Sequence, residues 1–132
     1  MAKKGLLHHI EIYVPDLTRA LKFWDWFLLE LGYQVFQAWE EGRSYILDET
    51  YLVFVQVQKK YLSYQYHRCG TGLNHLAFYA DSKEHVDEVT EKLQQRNIKI
   101  LYKDKHPYAG GEGHYAVYFE DPNRMKVELV AP

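Results

Sequence analysis

Cysteine is all but missing from this chain. Cys69 stands alone among 132 residues, which excludes an internal disulfide and a cysteine-based metal cluster. That usage suits a reducing compartment, so a cytoplasmic location is expected. No apolar run approaches the roughly 18 residues of a membrane span, and Met1-Ala-Lys-Lys-Gly5 has no apolar stretch behind it. Neither a membrane partner nor a secretory leader is expected. An excess of charge of one sign is lacking too. Sixteen Lys and Arg face 18 Asp and Glu, a net charge of −2, which excludes the basic footprint of a nucleic-acid binder. What the chain has in quantity is aromatic side chains: 16%, including 12 tyrosines and three tryptophans. Rings with a polar tip serve pockets and interfaces as well as cores.

Two halves repeat one pattern. His9-Ile-Glu-Ile-Tyr-Val14 precedes Pro15 and Asp16, and His75-Leu-Ala-Phe-Tyr-Ala80, 66 residues later, precedes Asp81 and Ser82. Alternating apolar positions with β-branched and aromatic residues predict a strand in each case. Asp16 and Ser82 are expected N-caps. Leu17, Ala20, Leu21, Trp24, Leu28 and Leu31 recur at the helical period before Gly32, and Val86, Val89 and Leu93 mark a narrower stripe between Ser82 and about Asn97. Strand-like pieces follow each helix, at 34–39, 43–48 and 51–58 and again at 98–103, 114–120 and 124–130. The expectation is one α+β domain over 1–132, built of two βαβββ modules (8–66 and 74–131) that form a cupped mixed sheet.

Strand alternation then sorts the polar residues. Ile10, Ile12 and Val14 face the first helix, so His9, Glu11 and Tyr13 face away. Leu76, Phe78 and Ala80 face the second helix, leaving His75, Ala77 and Tyr79 opposite. In the closing strands, Val53, Val55 and Val57 read as the helix side, with Phe54, Gln56 and Gln58 opposite. Met125, Val127 and Leu129 leave Lys126 and Glu128 opposite. His9, Gln56, His75 and Glu128 are therefore the candidate ligands of a divalent ion: zinc, nickel, manganese or ferrous iron. Without a metal, each is a polar residue on a half-exposed sheet. Tyr118, on the strand beside Glu128, is a candidate acid or hydrogen-bond donor, with core packing as the equal alternative. Among the other histidines, His8 reads as structural and His85 as solvent-facing, while His67, His106 and His114 flank loops or strand ends. Phe23, Trp24, Trp26 and Phe27 wrap more than one face of the first helix, so a second subunit is expected to cover part of them and the chain to be a homodimer.

The segments His8-His-Ile-Glu-Ile-Tyr-Val-Pro-Asp16, Leu73-Asn-His-Leu-Ala-Phe78 and Phe119-Glu-Asp-Pro-Asn-Arg-Met-Lys-Val-Glu-Leu-Val130 resemble the vicinal oxygen chelate superfamily. That superfamily includes glyoxalases, extradiol dioxygenases, fosfomycin-resistance enzymes and bleomycin-resistance proteins. The resemblance spans nearly the whole chain and implies paired βαβββ modules around a metal, usually within a dimer. It also implies ligands on the first and last strands of each module, which here carry His9, Gln56, His75 and Glu128. The implied activity is a metal-dependent lyase, isomerase or dioxygenase acting on a small substrate with vicinal oxygens. Glu128 would be ligand and base, and Tyr118 a donor. Glu11, Tyr13, Gln58 and Tyr79 would shape the substrate pocket, and the loop from Lys103 to Gly113 would fold over it as a lid. The alternatives are a non-catalytic small-molecule or antibiotic-binding dimer, and a structural dimer with a vestigial site.

Overall fold

The computed structural model describes residues 2–132; Met1, which opens both the expected domain span and the N-terminal stretch considered above, lies outside the described residues. The chain divides into two compact units, one ending at Gln65 and the other running from Tyr66 to Pro132. The first holds β1 (His9–Val14), α1 (Leu17–Glu30), β2 (Gln34–Trp39), β3 (Gly42–Leu47) and β4 (Thr50–Gln56), followed by a single 3₁₀ turn at Lys59–Tyr61. The second holds β5 (His75–Tyr79), α2 (Lys83–Gln95), β6 (Ile100–Leu101), β7 (Ala116–Glu120) and β8 (Lys126–Val130). Each unit is one four-stranded mixed sheet, ordered β1-β4-β3-β2 in the first and β5-β8-β7-β6 in the second. In both, the first strand pairs in parallel with the last, and the remaining pairs are antiparallel. The α+β class and the repeated βαβββ order are as expected.

Both helices begin at the expected caps, Asp16 and Ser82. The Asp16 carboxylate accepts the Arg19 backbone N–H at 3.1 Å, and the Ser82 hydroxyl accepts that of His85 at 3.1 Å. Each cap satisfies one of the donors that a helix N-terminus leaves open. Past α1, Gly32 takes a φ of +95°, a left-handed conformation that favours glycine and ends the helix.

The first module's core differs from the expected pattern in one strand. Phe54 is fully buried and stacks on Trp24 of α1, with ring centroids 4.8 Å apart. The β1–β4 register pairs Ile12 with Phe54 and Val14 with Gln56, while His9 pairs with Tyr51 and Glu11 with Val53. Phe54 and Gln56 therefore share the helix side of the sheet, and Val53 and Val55 share the other side with His9 and Glu11. The valine run misleads because Leu52, Val53 and Phe54, at the centre of β4, are all buried whichever face they take, so polarity does not distinguish the two faces. Aromatic size decides: only a large ring fills the space beneath Trp24.

The aromatic helix also differs from expectation. Phe23, Trp24 and Phe27 are buried within the chain, and Phe23 makes an edge contact with Trp24 (5.0 Å) and a stacked one with Phe27 (5.7 Å). These three rings cover one another within the chain, and Trp26 alone of the four is half-buried. Beneath the helix, the buried Tyr45 hydroxyl donates to the Asp25 carboxylate at 3.0 Å, and Arg43 approaches the same oxygen at 3.4 Å. Burial first, then the hydrogen bond to Asp25, hold the Tyr45 hydroxyl well above its ordinary pKa.

Because Phe54 fills the space under Trp24, Phe54→Ala should cost about 3–5 kcal/mol of stability, read as a lower midpoint in urea unfolding. An exposed Phe54 would change the midpoint by far less.

Candidate metal and substrate site

In the second module the expected residues come together. The β5–β8 register sets His75 beside Lys126 and Ala77 beside Glu128, and the β7–β8 register sets Tyr118 opposite Glu128. All of these lie on the sheet face turned away from α2, since Val127, Leu129, Val117 and Phe119 form the buried helix side. Glu128 is only 4% exposed, and a carboxylate so buried needs donors. The Nε2 atom of His75 lies 3.0 Å from one carboxylate oxygen, and Nε2 of His114 meets the other. The Tyr118 hydroxyl shares a hydrogen bond with the same group. Burial, then the Glu128 charge and this hydrogen bond, push the Tyr118 hydroxyl up to about 12. At neutral pH it is a donor and cannot serve as a base.

The second ring nitrogen of His75 is also occupied, with Nδ1 lying 2.8 Å from the Asn74 side-chain oxygen. An imidazole that donates Nδ1–H to Asn74 turns a bare lone pair at Nε2 toward Glu128. Two acceptors 3.0 Å apart repel unless a proton or a cation lies between them. An outer hydrogen bond that fixes the tautomer in this way is the usual support of a metal-bound histidine. Nitrogen and carboxylate ligands bind divalent ions at about 2.0–2.2 Å, so two donors sharing one ion sit roughly 3 Å apart. The chemistry and spacing of this pair suit a divalent ion. Among the described residues, no three His, Cys, Asp or Glu side chains take up the arrangement of a metal site; His75 and His114 converge instead on the Glu128 carboxylate.

In the first module His9 lies on the expected face of the sheet and Gln56 does not. His9 is exposed on β1, stacked on Tyr51 with centroids 4.7 Å apart, and its Nδ1 lies 2.9 Å from Nδ1 of His8. Gln56 lies on the opposite side of the sheet and is fully engaged. Its side-chain oxygen accepts the Leu17 N–H at 2.9 Å, and its nitrogen donates to the Pro15 carbonyl at 2.9 Å and more weakly to that of Val57 at 3.3 Å. It ties the start of α1 to the end of β4. By register, the first-module counterpart of Glu128 is Val53, paired with Glu11 as Glu128 is with Ala77. Glu11 and Tyr13 are exposed on the His9 face, Gln58 is exposed after β4, and Tyr79 is 78% exposed on the His75 face.

His114 is the residue that sequence reasoning undervalued. Its signal was available: His114, Ala116 and Tyr118 share one parity along the strand that β7 continues. The glycine-rich loop brings it in. A Cβ on Gly110 would lie 2.5 Å from both the Tyr118 hydroxyl and the His114 ring, so only glycine allows the loop to pack this closely on the sheet. Ala109 packs beside it against Leu101, Ala116 and Tyr118. An open groove lined by Ala77, Tyr79, His114, Val130 and Ala131 adjoins the cluster. His67 and His85 are held locally: His67 accepts the Cys69 N–H and His85 accepts the Asp81 N–H, each through Nδ1.

Residues 6–129 match the Glyoxalase/Bleomycin resistance protein/Dioxygenase superfamily. The chain is similar to YqjT of Bacillus subtilis (strain 168), a protein without a characterised activity, at 57% identity over 96% of this chain and 98% of that one. A crystal structure from Bacillus halodurans, provisionally named a glyoxalase, is 56% identical with a TM-score of 0.97, covering 98% of both chains. Lactoylglutathione lyase of Agrobacterium tumefaciens shares the fold at 20% identity, with a TM-score of 0.68 over 98% of this chain and 96% of that one.

Gly110→Ala should displace the loop from the Glu128 cluster. The expected cost is about 1–3 kcal/mol of stability, together with faster amide exchange over residues 103–114. An unchanged midpoint and unchanged exchange would show that the loop does not depend on this approach.

Proposed function

The chain belongs to the Glyoxalase/Bleomycin resistance protein/Dioxygenase superfamily, and on that premise we propose that it is a divalent-metal-dependent enzyme acting on a small substrate with vicinal oxygens. The observation that carries this reading is the pair formed by His75 Nε2 and the Glu128 carboxylate, 3.0 Å apart, with the far side of the imidazole held by Asn74. In this reading His75 and Glu128 are metal ligands and His9 is a further imidazole ligand. Gln56 is the clamp of α1, because both ends of its amide are already bonded. A bound divalent ion would supply Lewis-acid stabilisation of a developing enolate or oxyanion.

The chain's own residues have separate tasks. Tyr118, protonated at neutral pH, donates a hydrogen bond beside the reacting oxygens. The Glu128 oxygen that faces His114 is the candidate proton acceptor, and the His114 imidazole orients it. Tyr79 and the groove beside it receive the rest of the substrate, and the loop at Gly110 limits access of water. Cytoplasmic location is part of the proposal, consistent with a single exposed cysteine and with no helix of the described residues being long and apolar enough to cross a membrane. A homodimer is proposed as well, with the exposed Val35, Phe36 and Trp39 of β2 as the surface to vary.

Metal content per chain, measured by elemental mass spectrometry on untagged protein, tests the reading. One zinc, nickel, manganese or iron ion is expected per chain, lost in His75→Ala and in His9→Ala and retained in Gln56→Ala. Full retention in both histidine variants, or no uptake of any of these ions by the wild type, would sink the metalloenzyme reading. The second of these outcomes would favour a binding protein without chemistry. The identity of the metal then directs the assay, toward isomerase or lyase turnover or toward oxygen uptake.

A further inference from the structure

Lys126 shares the open face of the second module's sheet with His75, its register partner on β5, and the proposed chemistry gives it no part. Its ammonium donates to the Tyr102 hydroxyl at 3.2 Å and lies 5.5 Å from the Tyr102 ring centroid and 6.0 Å from that of Tyr118. Among the described residues, no carboxylate lies within ion-pair distance of it. The acid beside it on β7 is Glu120, and that carboxylate is taken by Arg68 at 2.9 Å, with Arg124 3.7 Å away. An ammonium has three hydrogens to donate, and one hydroxyl uses only one of them. The first module has no such cation, since Tyr51, stacked on His9, stands at the corresponding position.

Tyr102 supplies the second observation. It holds a φ of +57°, a left-handed conformation uncommon for a bulky residue and one that persists where the surroundings enforce it, often at functional sites. The conformation sets the Tyr102 ring edge-on to Tyr118, with centroids 5.5 Å apart, and brings its hydroxyl to Lys126. Because that hydroxyl accepts from the ammonium, its own hydrogen points elsewhere and can be donated.

We infer that Lys126 and the Tyr102 hydroxyl form an oxyanion-binding site on this face, which takes a carboxylate or phosphate group of the substrate. A charged donor and a neutral donor side by side suit a small anion. The inference deepens the proposed function: the substrate would be an anionic compound, its charged group on Lys126 and its vicinal oxygens toward His75 and Glu128.

The test uses metal-free protein, so that it does not depend on metal uptake. Protein carrying ¹³C-labelled tyrosine is titrated with inorganic phosphate and, separately, with lactate, following the Tyr102 and Tyr118 ring signals at low ionic strength. A saturable shift is expected with one or both anions, weakened about tenfold in Lys126→Met and recovered in Lys126→Arg. The anion that saturates at the lower concentration identifies the group preferred. A shift that does not saturate, or one that persists unchanged in Lys126→Met, overturns the inference. Anion binding with no metal uptake would sink the metal reading and leave this site standing; metal uptake without anion binding would do the reverse.

Discussion

The Glu128 carboxylate is buried in the last strand of the second sheet, and its neighbours are organised around that charge. Left without donors, a carboxylate at this depth would be neutralised or would destabilise the strand that carries it. The parallel pairing of β5 with β8 brings the His75 imidazole within 3.0 Å of one of its oxygens, where a proton or a cation must lie between the two. The antiparallel pairing of β7 with β8 brings the Tyr118 hydroxyl to the same group, and the loop before β7 delivers His114 to the other oxygen. Gly110 is part of the same constraint, because any side chain there would fill the space that His114 and Tyr118 occupy.

The first module shows what the same backbone does without that charge. Val53 stands where Glu128 would be, and the open face carries His9 stacked on Tyr51. Its polar investment is made on the helix side instead. There Gln56 secures the first turn of α1, and Asp25 receives both Tyr45 and Arg43. The two modules therefore share topology and divide the work: one fills its helix side with aromatic rings and polar clamps, and the other gathers ionisable groups on its open face. A duplicated fold allows this because strand pairing depends on the backbone, while each face answers only to its own neighbours.

The repeat, the two caps, the helices and the order of strands were legible in the sequence because each rests on local signals. Asp16 and Ser82 bond within their own turns, and the apolar stripes follow the period of the element they build. The facing of β1, β5 and β8 was legible for the same reason, since polar and apolar residues alternate there without ambiguity. His75, Glu128 and Tyr118 could therefore be named before their contacts were known.

Tertiary structure decided what local pattern leaves degenerate. In β4, buried at its centre, valines on one face and a phenylalanine on the other give no polarity contrast, and only the fit of Phe54 beneath Trp24 sets the facing and carries Gln56 to the helix side. The place of His114 at Glu128 depends on a loop whose path is held by a contact at Gly110, eight residues from Tyr118 in the chain and touching it in space. The link from Lys126 to Tyr102 needs a left-handed backbone at Tyr102 that no sequence pattern announces. The sequence determined which residue types were at hand and the frame that would carry them. Packing determined which of them meet, because burial and close approach depend on neighbours far apart in the chain.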